Sequence, residues 1–324
     1  YQGLFAKLEN ATVKALTVTG YIEGDDYVGA IAGEAIGTTS ISSCRSECTI
    51  KGDDNIGGIV GESYDSVVIR DCYNAGEIRG DGDISGIVGD ANDNTIIENC
   101  HNTGAITSDD DDIGGIAGVI YDNVIVRNCS NTGTVSGDDD IGGIVGDIND
   151  SGVVERCYNT GEVSGDDDIA GETPEAGGIQ DCYNLGTVSA ADGESEYGAI
   201  VGYVYGDDYD DEHYGGKIKN CYYLNGTAEK GIGANDNTSE SEVVAPTAYD
   251  AADFANGTVL NLLIANRTGD ENPWDTDGCG KYYSDEAATK EITKDATIIA
   301  KLTEKPADTK PTDTKSSGTK TSHS

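Results

Sequence analysis

Six cysteines recur along the chain at Cys44, Cys72, Cys100, Cys129, Cys157 and Cys182, with spacings of 28, 28, 29, 28 and 25 residues. A period of this size marks a supersecondary unit that cannot bury its own apolar face and is completed by stacking on copies of itself. Each unit reads as three short strands separated by turns, for example IGGIVGE from Ile56, VVIRDCYN from Val67 and GEIRG from Gly76. Apolar residues alternate along these segments, so one face points inward. The expectation is an all-β fold, a right-handed parallel β-helix (β-solenoid) of about seven coils of ~28 residues with a small mixed C-terminal cap. At ~4.8 Å per rung such a stack is roughly 30 to 35 Å long.

Stacking turns each repeated residue into a column. Asn74, Asn102, Asn131, Asn159 and Asn184 follow the cysteines by two positions, and their amides are expected to hydrogen-bond along the column. Gly76, Gly104, Gly133, Gly161 and Gly186 come two positions later, where a corner with φ > 0 is expected. The Gly57-Gly58, Gly114-Gly115 and Gly142-Gly143 pairs recur with the repeat and lack a GxxxxGK[ST] context, so tight packing explains them better than phosphate binding. With 45 Gly, 2 Phe, one Trp and no Met in 324 residues, the core must be thin and built from Val, Ile, Ala and Cys.

At these residues the chain resembles the GLUG-motif repeats of bacterial and some archaeal surface proteins. IGGIVGESYDSVVIRDCYNAGEIRG matches their GGIVG strand and NCYNxG box, GLFAKLENATVKALTVTG resembles an opening coil, and NCYYLNGTAEKGIG from Asn220 resembles a closing one. The resemblance covers roughly residues 1 to 283. It implies a parallel β-helix on a secreted or cell-surface protein, often adhesin-like, and names no ligand. The same repeats accompany immunoglobulin-A-cleaving metallopeptidases, but HExxH is absent here: the His residues are His101, His213 and His323.

Three regions are expected: a solenoid over 1–240, a capping region over 241–302, and a Thr/Lys/Pro/Ser-rich linker or tail over 303–324. In the second region Phe254, Val259, Leu260, Leu262, Leu263 and Ile264 suggest one or two short helices across the open end of the stack, joined by Pro273, Trp274, Tyr282 and Tyr283. No run of apolar residues is long enough to span a membrane. Tyr1 is read as lying within a longer chain, its strand-like surroundings lacking a cap.

The formal charge of -40 sets the chain against nucleic acid and toward cations. Much of it sits in turns just before the repeated Ile: Asp25 and Asp26, Asp53 and Asp54, Asp81 and Asp83, Asp109 to Asp112 (including Asp110 and Asp111), Asp138 to Asp140 (including Asp139), and Asp166 to Asp168 (including Asp167). Stacked carboxylates repel by roughly 1 kcal/mol per pair in water, so the corner invites cations. Ca²⁺ fits best because it takes six to eight oxygen ligands at flexible geometry; the alternative is a solvated acidic edge that blocks sideways aggregation. The turns lack DxDxDG spacing and the nonapeptide Ca²⁺ repeat.

The nine cysteines, one per coil for the most part, read as buried free thiols, because stacked parallel side chains give poor disulfide geometry; Cys44 with Cys48 is the best pair for an exception. No cysteine has a His partner at a motif spacing, which argues against nucleophilic catalysis. The one interruption of the period, YVYGDDYDDEHYGG from Tyr203 to Gly216, offers Tyr203, Tyr205, Tyr209 and Tyr214 as a contact surface for a glycan, a protein or another cell, or is a tolerated insertion.

The leading functional expectation is a non-enzymatic extracellular scaffold, structural or adhesive, on a microbial surface. The second is a filament subunit joined to copies of itself by end-to-end stacking. The third, a polysaccharide-acting enzyme, needs acids converging in an irregular cleft, whereas these repeat monotonously along one corner.

Overall fold

The computed structural model describes residues 1–149, 151–165, 172–173, 178–190, 198–204, 206–207, 214–215, 217–235 and 243–266. It is a parallel β-solenoid of about seven turns. One coil shows the pattern. Asp54–Gly57 joins a five-stranded corner sheet, Val60–Asp65 a six-stranded face, Val68–Arg70 an eight-stranded face, and Tyr73–Asn74 and Ile78–Gly80 the two halves of a fourteen-stranded face. The expected three strands per coil are thus five shorter ones. IGGIVGE breaks at Gly58 and Ile59, and VVIRDCYN breaks where Asp71 turns the chain.

That turn has a defined cause. Ser43, Asp71, Asn99, Asn128, Arg156, Asp181 and Asn220, each just before a column cysteine, hold φ of 53, 53, 53, 55, 56, 56 and 53°. Asn and Asp tolerate this left-handed conformation best among residues with a side chain, and they fill five of the seven places. The turn carries the chain from the eight-stranded to the fourteen-stranded face and leaves the next cysteine pointing inward.

The expected positive φ at Gly76 and its equivalents is not found; these glycines lie outside the left-handed region. Close approach requires them instead. A Cβ on Gly104, Gly133, Gly161 or Gly186 would stand 1.9, 1.9, 1.8 or 1.7 Å from the carbonyl oxygen of the glycine one coil earlier. In the earlier coil, Cys48 sits in a continuous strand, Arg45–Lys51, that spans both halves of the face.

The turn is closed by the asparagine before it. Asn131 Nδ2 donates to Gly133 O (2.9 Å) and to Asn159 Oδ1 (3.0 Å). Its Oδ1 accepts from Gly133 N–H (3.1 Å) and from Asn102 Nδ2 (2.9 Å). Two donors and two acceptor positions exhaust what a carboxamide offers. The ladder runs unbroken from Asn74 to Asn184, as the sequence led us to expect.

The Asn column divides the bore. The second glycine of each Gly-Gly pair lies against it, a Cβ on Gly58, Gly115 or Gly143 falling 2.7, 2.6 or 2.6 Å from the Cγ of Asn74, Asn131 or Asn159. On one side of this polar wall lies an apolar column that includes Ile69, Ile97, Val126 and the cysteines from Cys44 to Cys221; on the other lies one that includes Ile50, Ile78, Ile84, Ile113 and Cys48. All eight described cysteines are free and buried. Cys44 and Cys48 fall in different columns, so the suggested exceptional pair does not form.

The C-terminal segment departs from expectation in position. Thr247–Tyr249 pairs with Tyr222–Leu224 and extends the fourteen-stranded face, while Val243 bridges Ile218. Two helices follow, α1 (Ala251–Ala255) and α2 (Thr258–Asn266). They lie along the side of the solenoid: Phe254, Val259, Leu260 and Leu263 cluster with Tyr158, Tyr183 and Tyr222. The reason is an outward aromatic column, in register from Tyr158 to Tyr183 to Tyr222, with the Tyr158 and Tyr183 rings stacked at 5.0 Å. It offers a large apolar surface that the thin end of the stack does not. Pro273, Trp274, Tyr282, Tyr283 and the 303–324 tail lie outside the described residues.

Candidate functional site

The acidic corner is built by the repeated Ile. Ile56, Ile84, Ile113 and Ile141 pair in register and are buried, which anchors the residues before them in three columns. Counting back from the Ile, the outermost column is Asp53, Asp81, Asp110 and Asp138, all exposed. The middle column is Asp54, Gly82, Asp111 and Asp139; Gly82 pairs with Asp54 and interrupts the carboxylates. Burial, then Asp26, Asp53 and Asp81, raise Asp54 above the usual carboxylate range, and burial, then Asp110 and Asp139, do the same for Asp111.

The innermost column is where the sequence reading falls short. Tyr27, Asn55, Asp83, Asp112 and Asp140 hold φ of 58, 52, 48, 59 and 45°, and this turn folds the corner back over the six-stranded face. Gly89 of that face lies so close that a Cβ there would stand 2.6 Å from Ile56 N and 2.7 Å from Asp83 O. The residue after this glycine in each coil forms a second, facing column: Glu34, Glu62, Asp90, Val119 and Asp147. The two columns together make an acidic shelf.

Its members are partly shielded from water. Burial first, then Asp54 and Asp147, push Asp83 up to about 6. Burial first, then Asp83 and Glu62, push Asp90 up to about 7. Burial also raises Glu62 and Asp147. The Tyr121 hydroxyl is pushed up to about 12 by burial and then by Asp90, Asp83 and Asp147. Amides hold the carboxylates in place: Asn55 Nδ2 donates to Asp83 (3.3 Å) and Asp90 (3.4 Å), Asn92 to Asp90 (2.8 Å), and Asn149 to Asp147 (2.5 Å). At the N-terminal end Glu34 is neutralised by Lys7 (2.6 Å) and accepts a hydrogen bond from Tyr64 (2.5 Å).

The shelf can take up protons near neutrality and repel anions. Two carboxyls tethered by one amide also resemble an acid and base pair, and two hollows among the described residues lie away from them. One opens into the bore beside Val145, Val154 and Ile179; the other, at the surface, is lined by Gln2, Glu23, Asp25, Lys51 and Asp53. Among the described residues, no three of His, Cys, Asp and Glu are placed to hold a metal ion. Asp53, Asp54, Asp81, Asp110, Asp111, Asp138 and Asp139 share a corner as expected, while Asp83 belongs to the shelf. Asp166 and Asp167 lie outside the described residues.

Glu34, Glu62, Asp90 and Asp147 were legible in principle: each follows the last glycine of its coil's AIAG or GIVG segment, in GE, GE, GD and GD. The tyrosine-rich interruption is described only in part. Gly206–Asp207 pairs antiparallel with Tyr214–Gly215 in a hairpin, and Tyr203 sits in Val201–Val204, which pairs parallel with Ile232–Asn235. Tyr205 and Tyr209 lie outside the described residues.

The chain matches no protein-family model, no curated protein and no solved structure. The likeness to GLUG repeats therefore rests on the motifs quoted above.

Proposed function

We propose that this chain is a non-enzymatic scaffold of a microbial outer surface, structural or adhesive, that presents its tyrosine-rich interruption, with the hairpin of Gly206–Asp207 and Tyr214–Gly215, from a rigid stack. The observation that carries this reading is the saturated Asn ladder. The inward amides repeated from Asn74 to Asn184 bond to one another and to their own turns, and the interior Asn131 has all its donors and acceptors used, so this inner column is committed to stacking rather than to a substrate. Two further features support an extracellular place. The charge of -40 keeps densely displayed copies apart. The thiols are sheltered: the eight described cysteines are buried, and each column cysteine from Cys72 to Cys157 donates S–H to a carbonyl of its own coil at 3.2 or 3.3 Å.

The reading is tested by retention of protein-coated beads on a panel of polysaccharides and cell surfaces, with the full chain and with a variant lacking residues 206–215, which leaves the paired strand Val201–Val204 in place. The expected result is retention that the deletion abolishes while the melting temperature stays unchanged. Retention on no surface, or retention indifferent to the deletion, counts against the adhesive role.

A further inference from the structure

The four central rungs of the eight-stranded face carry outward columns whose order along the stack is palindromic; the outermost rungs, with Lys14 at one end and Lys219 at the other, do not continue it. Ile69, Ile97, Val126 and Val154 point inward and are buried, so the residues on either side of each point outward. The first outward column reads Val68, Ile96, Ile125 and Val153, paired in register and half-buried. The second reads Arg70, Glu98, Arg127 and Glu155 on the same rungs. The turn that follows reads Asp71, Asn99, Asn128 and Arg156. Reversing the four rungs returns the same apolar order and replaces every charge by its opposite. Both described helices pack against the aromatic column, and α2 reaches only the far end of the turn column, where Asn220 donates to Leu263 O.

We infer that this face binds the same face of a second copy, related by a twofold axis that lies in the interface, parallel to the strands, between the rungs of Glu98 and Arg127. Such an axis reverses the stack but keeps the strand direction, so each column meets itself inverted, as an isologous interface requires. Val68 then lies on Val153 and Ile96 on Ile125. Arg70 faces Glu155 and Glu98 faces Arg127, while Arg156 is buried within its own chain. Within one chain Arg127 Nε already reaches Glu98 at 3.0 Å, and Arg156 pairs with Glu155. The second copy extends the Glu98–Arg127 pair into a four-charge cluster with alternating sign.

Opposing forces limit the strength. Asp65, Asp93 and Asp122 form an exposed acidic rim beside the apolar column, and each chain carries -40. Four rungs of three-residue strands cover a few hundred Å² per copy, below the roughly 800 Å² of a stable interface. The pairing is therefore weak and reversible, and is filled where copies are crowded. At about 0.15 M salt the long-range repulsion is screened beyond roughly 8 Å while the facing pairs remain in contact.

Sedimentation equilibrium of the full chain between 10 µM and 1 mM in 150 mM NaCl tests this. The expected result is a monomer–dimer equilibrium weakened at least fivefold by Glu98→Arg alone and by Arg127→Glu alone. An equimolar mixture of the two variants is expected to recover the wild-type affinity, because each supplies the charge the other lost; a role confined to one chain cannot give this rescue. The double variant Glu98→Arg/Arg127→Glu, which keeps both the internal pair and the palindrome, is expected to dimerise as wild type and serves as the folding control. A chain that stays monomeric to 1 mM, a dimer indifferent to both single variants, or a mixture without recovery would overturn the inference.

Discussion

Replacing Asn131 by Ala tests whether the amide ladder holds the coils together. The side chain makes four hydrogen bonds of 2.9 to 3.1 Å inside the bore: two to Gly133 of its own turn and one each to Asn102 and Asn159. All four residues are buried, so the alanine strips bonds that water cannot easily replace. At roughly 1 kcal/mol net for each bond, with more where a buried group is left unsatisfied, the expected loss is about 4 to 6 kcal/mol. That is a large share of the 5 to 15 kcal/mol typical of a folded domain. Because coils in a solenoid contact only their neighbours, the damage concentrates at the two junctions flanking the rung of Cys129. Urea unfolding followed by circular dichroism reads the total, and native-state amide exchange reads its position, with the fastest new exchange expected around residues 100–104, 129–133 and 157–161. Thr49→Ala, on an exposed outward position, is the control and should cost within about 0.5 kcal/mol. A loss below about 1 kcal/mol for Asn131→Ala would refute the reasoning, since the ladder would then be decorative.

Four other outcomes follow from the same structure. The shelf carboxyls have folded pKa values raised to about 6 and 7, so the folded chain binds more protons than the unfolded one between about pH 4 and 7; stability should rise by roughly 2 to 4 kcal/mol on going from pH 7.5 to 5, and be lost as pH climbs through those values, with Asp83→Asn/Asp90→Asn flattening the profile in urea melts. Gly133→Ala places a Cβ 1.9 Å from Gly104 O, and the forced separation of two coils should cost about 3 kcal/mol or more in the same melts; a neutral result would mean the coils are not this close. Folded protein should leave the eight described cysteines unlabelled by a thiol reagent until denaturant is added, and rapid native labelling of any of them would contradict their burial. Millimolar Ca²⁺ and NaCl of matched ionic strength should raise the melting temperature alike, because Gly82 interrupts the middle Asp column and, among the described residues, no three of His, Cys, Asp and Glu are placed to hold a metal ion; a Ca²⁺-specific rise would show ordered metal along the corner.

The fold was legible in the sequence because a solenoid writes its register directly into its period. The cysteine spacing fixed the coil, and the Asn column fixed the inner wall, since an amide repeated at an inward position has few other ways to be satisfied. What escaped was what depends on distance across the coil. The glycines after each Asn look like turn residues, yet they are required because the backbone one rung away leaves no room for a Cβ. The strand breaks at Asp71 and its equivalents come from single left-handed residues, and Ser43 and Arg156 give no local sign of it. The helices were visible in the spacing of Phe254, Leu260 and Leu263, but their place was not: it depends on Tyr158, Tyr183 and Tyr222, three residues from three coils that meet only when stacked. The acidic shelf was half visible. Its corner column is crowded with Asp, whereas Glu62, Asp90 and Asp147 look like isolated polar residues until the turn brings the corner over them.

The most direct test of a scaffold without catalysis is mass spectrometry of the liquid above uronic-acid and neutral polysaccharides incubated with the purified full chain and, in parallel, with Asp83→Asn/Asp90→Asn. The account expects no released oligosaccharide from either protein. Products that form with the wild-type chain and vanish with the double variant would contradict it, and would make the acidic shelf an active site.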